Sequence, residues 1–112
     1  MFKINQSASF FWPVTVNIPG DGGKFEKHTF DAEFKRVSQS EILAMHEDIK
    51  ADKTTDRSFC EQVLVGWKGI TEDGQEVPFT PTTMAAVLDI PSVAASIVLA
   101  FQAAHSGVAR KN

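Results

Sequence analysis

The chain has 112 residues, 43% of them hydrophobic and 22% charged, with a formal net charge of −3 and a single cysteine. That is enough chain for one buried core and too little for two, and the composition is that of a folded protein. The negative balance, with Lys35-Arg36 and Arg110-Lys111 as the only basic clusters, excludes a general nucleic-acid binder, which needs Lys and Arg gathered on one face. The lone Cys60 excludes an internal disulfide and a cysteine-built zinc site.

The opening MFKINQSASFF lacks the continuous apolar run of a signal peptide, so no secretion signal is expected. Residues 10–18, FFWPVTVNI, alternate: Phe10, Trp12, Val14, Val16 and Ile18 fall on one face, as in a half-buried strand. Pro13 cannot donate to a ladder, which predicts an edge strand or a start at Val14. PGDGG supplies a turn, and KFEKHTFDAEFKRV returns as the hairpin partner with Phe30, Ala32 and Phe34 inward.

Ser38 followed by Glu41 is a capping box that opens a helix near 39–51, with Ile42, Leu43, His46 and Ile49 at helical spacing. Thr54 or Thr55 caps a second helix in which Phe59, Cys60, Val63 and Leu64 share a face, and Gly66 is expected to stop it. A hairpin-like excursion follows, turning at Glu72-Asp73-Gly74-Gln75, with Trp67 and Phe79 near its two ends as anchors to the core. Thr80 with Pro81 opens a third helix with Met84, Val87 and Leu88 inward. Pro91 restarts the chain as a last helix running to about His105, with Gly107 as its stop. The expected class is α+β: one domain over 1–112, a β-hairpin at about 10–37 and a four-helix part at about 38–107.

No titratable constellation has a recognised catalytic or metal-binding spacing. His46-Glu47-Asp48 lacks the second histidine of a zinc hydrolase helix, and GDGG and GWKG lack the context of a phosphate loop. Glu72, Asp73 and Glu76 around Gly74 lack the ligand periodicity of a calcium loop. Cys60 with His46 or His105 could be drawn as a thiol and base, but a cysteine on an apolar helical face is ordinarily a small core residue. No catalytic residue, metal or cofactor is expected.

Ile90 to Ala109 contains no Asp, Glu, Lys or Arg. Its length approaches the roughly 20 residues of a membrane span, yet Pro91, three serines, Gln102, His105 and Gly107 dilute it, so no membrane association is expected. Val93, Ile97, Phe101 and Ala104 can face the domain's own core, leaving Ala95, Val98, Leu99 and Gln102 toward another side. Either this is the central helix wrapped by the others, or it presents an apolar patch to a second copy or a partner; the two readings are compatible.

Three stretches carry a resemblance: FFWPVTVNIPGDGGKFEKHTFDAEFKRVSQSEI, VLVGWKGITEDGQEVPFTP and LDIPSVAASIVLAFQAAHSGVARKN. Together they make the chain look like the tail assembly chaperones of long-tailed, siphovirus-like bacteriophages and prophages, over most of its length. The resemblance implies a non-catalytic protein that binds the tape-measure protein, keeps it soluble, and assists tail-tube polymerisation around it in the host bacterial cytoplasm, absent from the mature virion. It also implies contact with the tail-tube protein through a longer frameshifted form; Arg110-Lys111-Asn112 is compatible with a slippery codon run. A homo-oligomer belongs among the expected partners. The competing expectation is a minor tail protein, a tube-end or joining component retained in the virion. The expected partner-binding residues are Val98, Leu99 and Gln102 on the last helix, with Trp67 and Phe79 on the central segment. Each of the five has a rival reading as core.

Overall fold

The computed structural model describes residues 2–106; the expected stop at Gly107 and the Arg110-Lys111-Asn112 run lie outside them. Strand β1 (Ser9–Pro19) and strand β2 (Phe25–Lys35) form the antiparallel hairpin, in continuous register from Ser9 opposite Lys35 to Pro19 opposite Phe25. The turn between them is a short 3-10 segment, Asp21–Gly23, in which Gly22 and Gly23 take φ of 75° and 77°, a region that admits glycine without strain. Pro13 sits inside β1, opposite Asp31, and is tolerated because β1 is an edge strand of its three-stranded sheet.

Helix α1 (Gln39–Lys50) opens on the capping box: the Glu41 amide donates to Ser38 Oγ, and the Ser38 amide donates to Glu41 Oε1, both at 3.2 Å. Ile42 is buried and Met45 and Ile49 pack against the core, whereas Leu43, expected inward, is exposed. The rotation follows the tertiary contact, since the buried stripe runs 42, 45, 49 and leaves 43 on its flank.

Helix α2 (Asp56–Val63) is capped by Thr55, whose Oγ1 accepts from the Ser58 amide at 3.1 Å. Gly66 does not end it. The helix stops at Val63, and strand β3 (Leu64–Lys68) begins at once, pairing with β2 as a third strand. Glu33 opposes Gly66 and Phe34 opposes Leu64, so Val65 is the extra residue of a bulge and stands exposed. The glycine eases a close approach: a Cβ there would displace the movable Glu33 carboxylate and lie a tight 3.3 Å from Glu33 Cβ.

The excursion is a two-stranded ribbon, β4 (Thr71–Glu72) and β5 (Gln75–Glu76), turning on Asp73 and Gly74 at φ of 51° and 79°. Both central residues in the left-handed region make the tight turn whose twist suits a hairpin. Helix α3 (Pro81–Leu88) starts behind Thr80, with Pro81 in the first turn and Thr83 completing a capping box.

Helix α4 (Val93–Ala104) begins two residues later than Pro91. Ser92 sits at φ 75° before it, so Pro91 belongs to the turn that bends α3 from α4 by 99°. The Ser96 amide and hydroxyl both donate to the Ser92 carbonyl, at 3.0 and 2.7 Å, and satisfy the new helix's first acceptor. Among the described residues no single helix is long and apolar enough to cross a membrane.

The core lies between the sheet and α4, with α2 closing the other side of that helix. Val14, Val16, Phe30, Ala32 and Phe34 supply the sheet's inner face. Phe34, Phe101 and Phe59 then form an edge-on chain with centroid distances of 5.3 and 5.1 Å. Such pairs contribute ~0.5–1.5 kcal/mol each beyond their buried area. The outer face is polar, lined by Thr15, Thr29, Asp31 and Lys68, the last placing its ammonium 4.1 Å above the Phe11 ring.

Candidate functional site

The residues expected to meet a partner do not form one surface. On α4, Val93, Ile97, Val98, Ala100 and Phe101 are buried. Val98, placed outward by the sequence reading, is a core residue at 7% exposure. A wider arc of α4 is enclosed than the stripe 93, 97, 101, 104 allows, because the helix is packed on the sheet, on α2 and on α3. Leu99 remains outside at 63% exposure, with Ala95 exposed one turn before it and Gln102 half-buried after it. Positions 95, 99 and 102 share one side of a helix, so this stripe is continuous.

Trp67 and Phe79 are half-buried and touch each other, with ring centroids 4.8 Å apart and planes at 78°. The Trp67 Nε1–H donates to the Val77 carbonyl at 2.8 Å, and the Val77 amide donates to Ile70 at the same distance. Trp67 is the next-to-last residue of β3, opposite Ala32, and Phe79 lies just ahead of the α3 cap. The ring therefore clasps the two ends of the ribbon together, packed edge-on with Phe79 and with its one donor on Val77. Gly69, at φ 88°, turns the chain out of β3 under this clasp.

The titratable groups are dispersed. Cys60 is fully buried in α2 and its thiol donates to the Ala94 carbonyl at 3.4 Å. Burial, then the nearby carboxylates of Asp56 and Glu61, push the thiol up to about 12, which leaves it protonated and unreactive at neutral pH. His105 stands at the other end of α4, its Nδ1 2.8 Å from the Phe101 carbonyl and its ring against Phe10 and Phe101. Eleven residues of helical rise separate Ala94 from His105, about 16 Å, so thiol and imidazole do not meet. Among the described residues no group of three or more His, Cys, Asp or Glu is arranged to hold a metal ion. Arg57 ties α2 to the end of α3 through Asp89 at 3.7 Å and pairs with Glu61 one turn along its own helix at 3.8 Å, exposed pairs of structural character.

One feature escaped the sequence reading. An apolar groove of about 390 Å³ opens between the turn end of the sheet, the Gly69–Thr71 connection and the α3–α4 corner. Val16, Ile18, Phe30, Ile70, Val87 and Ile90 are its principal walls. They come from separate elements, and each looks locally like an ordinary inward residue, so no local pattern marks the cavity.

Comparison with known proteins gave no matching family model, no matching curated protein and no matching solved structure.

Proposed function

We propose that this protein is a non-catalytic assembly chaperone of the phage tail type, which covers apolar helical stripes of a long tape-measure protein in the host cytoplasm until tube protein replaces it. The observation that carries the reading is the outer stripe of α4. Leu99 is exposed between Ala95 and Gln102, on a helix with no charged side chain from Val93 to Ala104. Small neighbours let a second helix approach closely, and the absence of charge avoids a desolvation cost at contact. A single exposed leucine with small flanks suits a contact that must later be released. The net charge of −3 favours solubility of the covered complex.

The resemblance of the three sequence stretches to tail assembly chaperones supports the client assignment. It extends the proposal to tail-tube protein, reached through a longer frameshifted product. Co-expression with the tape-measure product tests it: that product stays soluble with the native chain and precipitates with Leu99→Lys, which leaves the fold intact because the side chain is outside. Equal solubility with and without the chain refutes the proposal. Abundant peptides of this chain in purified virions would replace it with a structural tail component.

A further inference from the structure

We propose that the Asp73-Gly74 bond is a site of spontaneous backbone modification: the Gly74 amide closes on the Asp73 carboxyl, and water reopens the ring as isoaspartate, at a rate set by opening of the β4–β5 ribbon. The inference does not depend on the identity of any client.

Three features of the turn meet at this bond. Residues 71–76 are all exposed, and a Cβ built on Gly74 would find nothing within 4 Å, so water reaches the bond and no side chain shields the attacking amide. The Gly74 amide has no hydrogen-bond acceptor among the described residues, so no bond to it must break before it reacts. Asp73 is held at φ 51°, where its Cβ crowds the following carbonyl oxygen, so leaving the turn conformation relieves strain.

The chemistry needs only water. The Gly74 nitrogen attacks Cγ of the protonated Asp73 carboxyl and forms a new N–Cγ bond. The amide proton and the carboxyl OH depart together as one water, which leaves a five-membered succinimide ring. Water then adds to one of the two ring carbonyls. Addition at Cγ breaks the new bond and restores aspartate. Addition at the main-chain carbon breaks the original peptide bond instead, so Gly74 stays attached through Cγ and the main-chain carbon becomes the free carboxylate. Mass and charge are unchanged, and nothing is oxidised or reduced.

The same dipeptide occurs once more, at Asp21-Gly22, and the fold treats the two differently. Asp21 lies in the turn of a hairpin of two eleven-residue strands in continuous register, closed by the Gly20 amide on the Lys24 carbonyl at 2.7 Å, and its φ is not positive. The ribbon at Asp73 has only the pairs Thr71–Glu76 and Glu72–Gln75, with the Trp67 clasp behind them. A hairpin that short is marginal by itself. Ring closure must swing the Asp73 main chain until the amide nitrogen stands against Cγ, a freedom that local opening supplies. Opening is easier in the ribbon than in the long hairpin, so Asp73 reacts and Asp21 is spared. Isoaspartate carries the main chain through Cβ and lengthens a tight turn by an atom, so Thr71 and Glu76 lose their register and the ribbon stays open.

The full chain, held at neutral pH and body temperature in heavy-oxygen water, tests the proposal. Peptide mapping with electron-transfer fragmentation locates isoaspartate, because its Cα–Cβ bond lies in the main chain and is cleaved there. Isoaspartate and heavy oxygen are expected to accumulate at position 73 at least about fivefold faster than at position 21 in the folded chain, and at equal rates in urea. Trp67→Phe, which loosens the clasp, is expected to speed the reaction at position 73 by about fivefold and to leave position 21 unchanged. Gly74→Ala is expected to slow it even though it weakens the turn, since a Cβ crowds the attacking nitrogen. A position 73 that stays aspartate, or reacts no faster than position 21 in the folded chain, overturns the proposal. So does a Trp67→Phe rate that is unchanged or rises equally at both sites, the latter being the mark of global unfolding. Unequal rates in urea would assign the difference to neighbouring residues rather than to the fold, and overturn it as well.

Discussion

The clasp at Trp67 allows a prediction that separates local from global stability. Trp67→Phe keeps an aromatic ring against Phe79 but removes the Nε1–H bond to the Val77 carbonyl at 2.8 Å. Val77 is only half-buried, so water recovers part of the loss, and the cost is about 1 kcal/mol. Trp67→Ala also removes the edge-on pair, ~0.5–1.5 kcal/mol, and the ring's apolar burial. With full-core aromatic truncations costing ~3–5 kcal/mol, the half-buried Trp67 should cost about 2–3 kcal/mol.

If the ring holds the ribbon ends together, the first variant acts on residues 69–79 before it acts on the core. The Val77 amide, bonded to Ile70 at 2.8 Å, reports that opening directly. Native-state hydrogen exchange should show its protection falling by about fivefold in Trp67→Phe, the equivalent of 1 kcal/mol. Amides of the buried turn around Ile97 should change only with the global stability measured by urea. A Val77 amide unchanged in Trp67→Phe, or a loss shared equally with the amides of α4, would refute the reasoning and make Trp67 a plain core residue.

Two further outcomes rest on single positions. Because burial holds the Cys60 thiol near 12 against an ordinary 9.0, the unfolded chain loses this proton first as pH rises. Its contribution is therefore fully present below pH 9 and declines between 9 and 12, by about 1.4 kcal/mol per pH unit at the steepest. The stability gap between native chain and Cys60→Ala, measured by urea unfolding, should shrink by about 2 kcal/mol between pH 8 and pH 10.5, and a constant gap would sink the assignment. Gly74→Ala places a Cβ at φ 79° with no neighbour within 4 Å, so its cost is backbone strain alone, about 1 kcal/mol. Gly74→Asn, which tolerates that region, should recover most of it, and equal losses in both would show that the turn is under some other constraint.

The local elements were legible because their signals are local. Alternation at Phe10, Trp12, Val14, Val16 and Ile18, the Ser38–Glu41 box and the Thr80-Pro81 start each depend on bonds or side-chain directions within a few residues. These elements appear with the expected character in the fold, an N-terminal hairpin followed by four helices. From the sequence Gly66 suggests a helix stop, because glycine ends helices in general. It is instead the site where β3 passes under the Glu33 side chain, and Glu33 is thirty-three residues away in sequence. Likewise the alternation of small and large residues on α4 cannot say how many neighbours the helix has.

The sequence alone determined where most elements begin, which faces of the strands are apolar, and that the last helix carries no charge, since these follow from side-chain chemistry read at periods of two and 3.6 residues. Only the tertiary structure decided that Val98 is core while Leu99 is surface, that Trp67 is occupied by Phe79 and Val77, and that a groove opens beside Ile90. Those outcomes depend on which elements pack together and at what angle, and the 99° bend at Ser92 sets that for the last two helices. Residue types along the chain leave such a geometry open, because one apolar stripe can be buried against several alternative neighbours at nearly the same free energy.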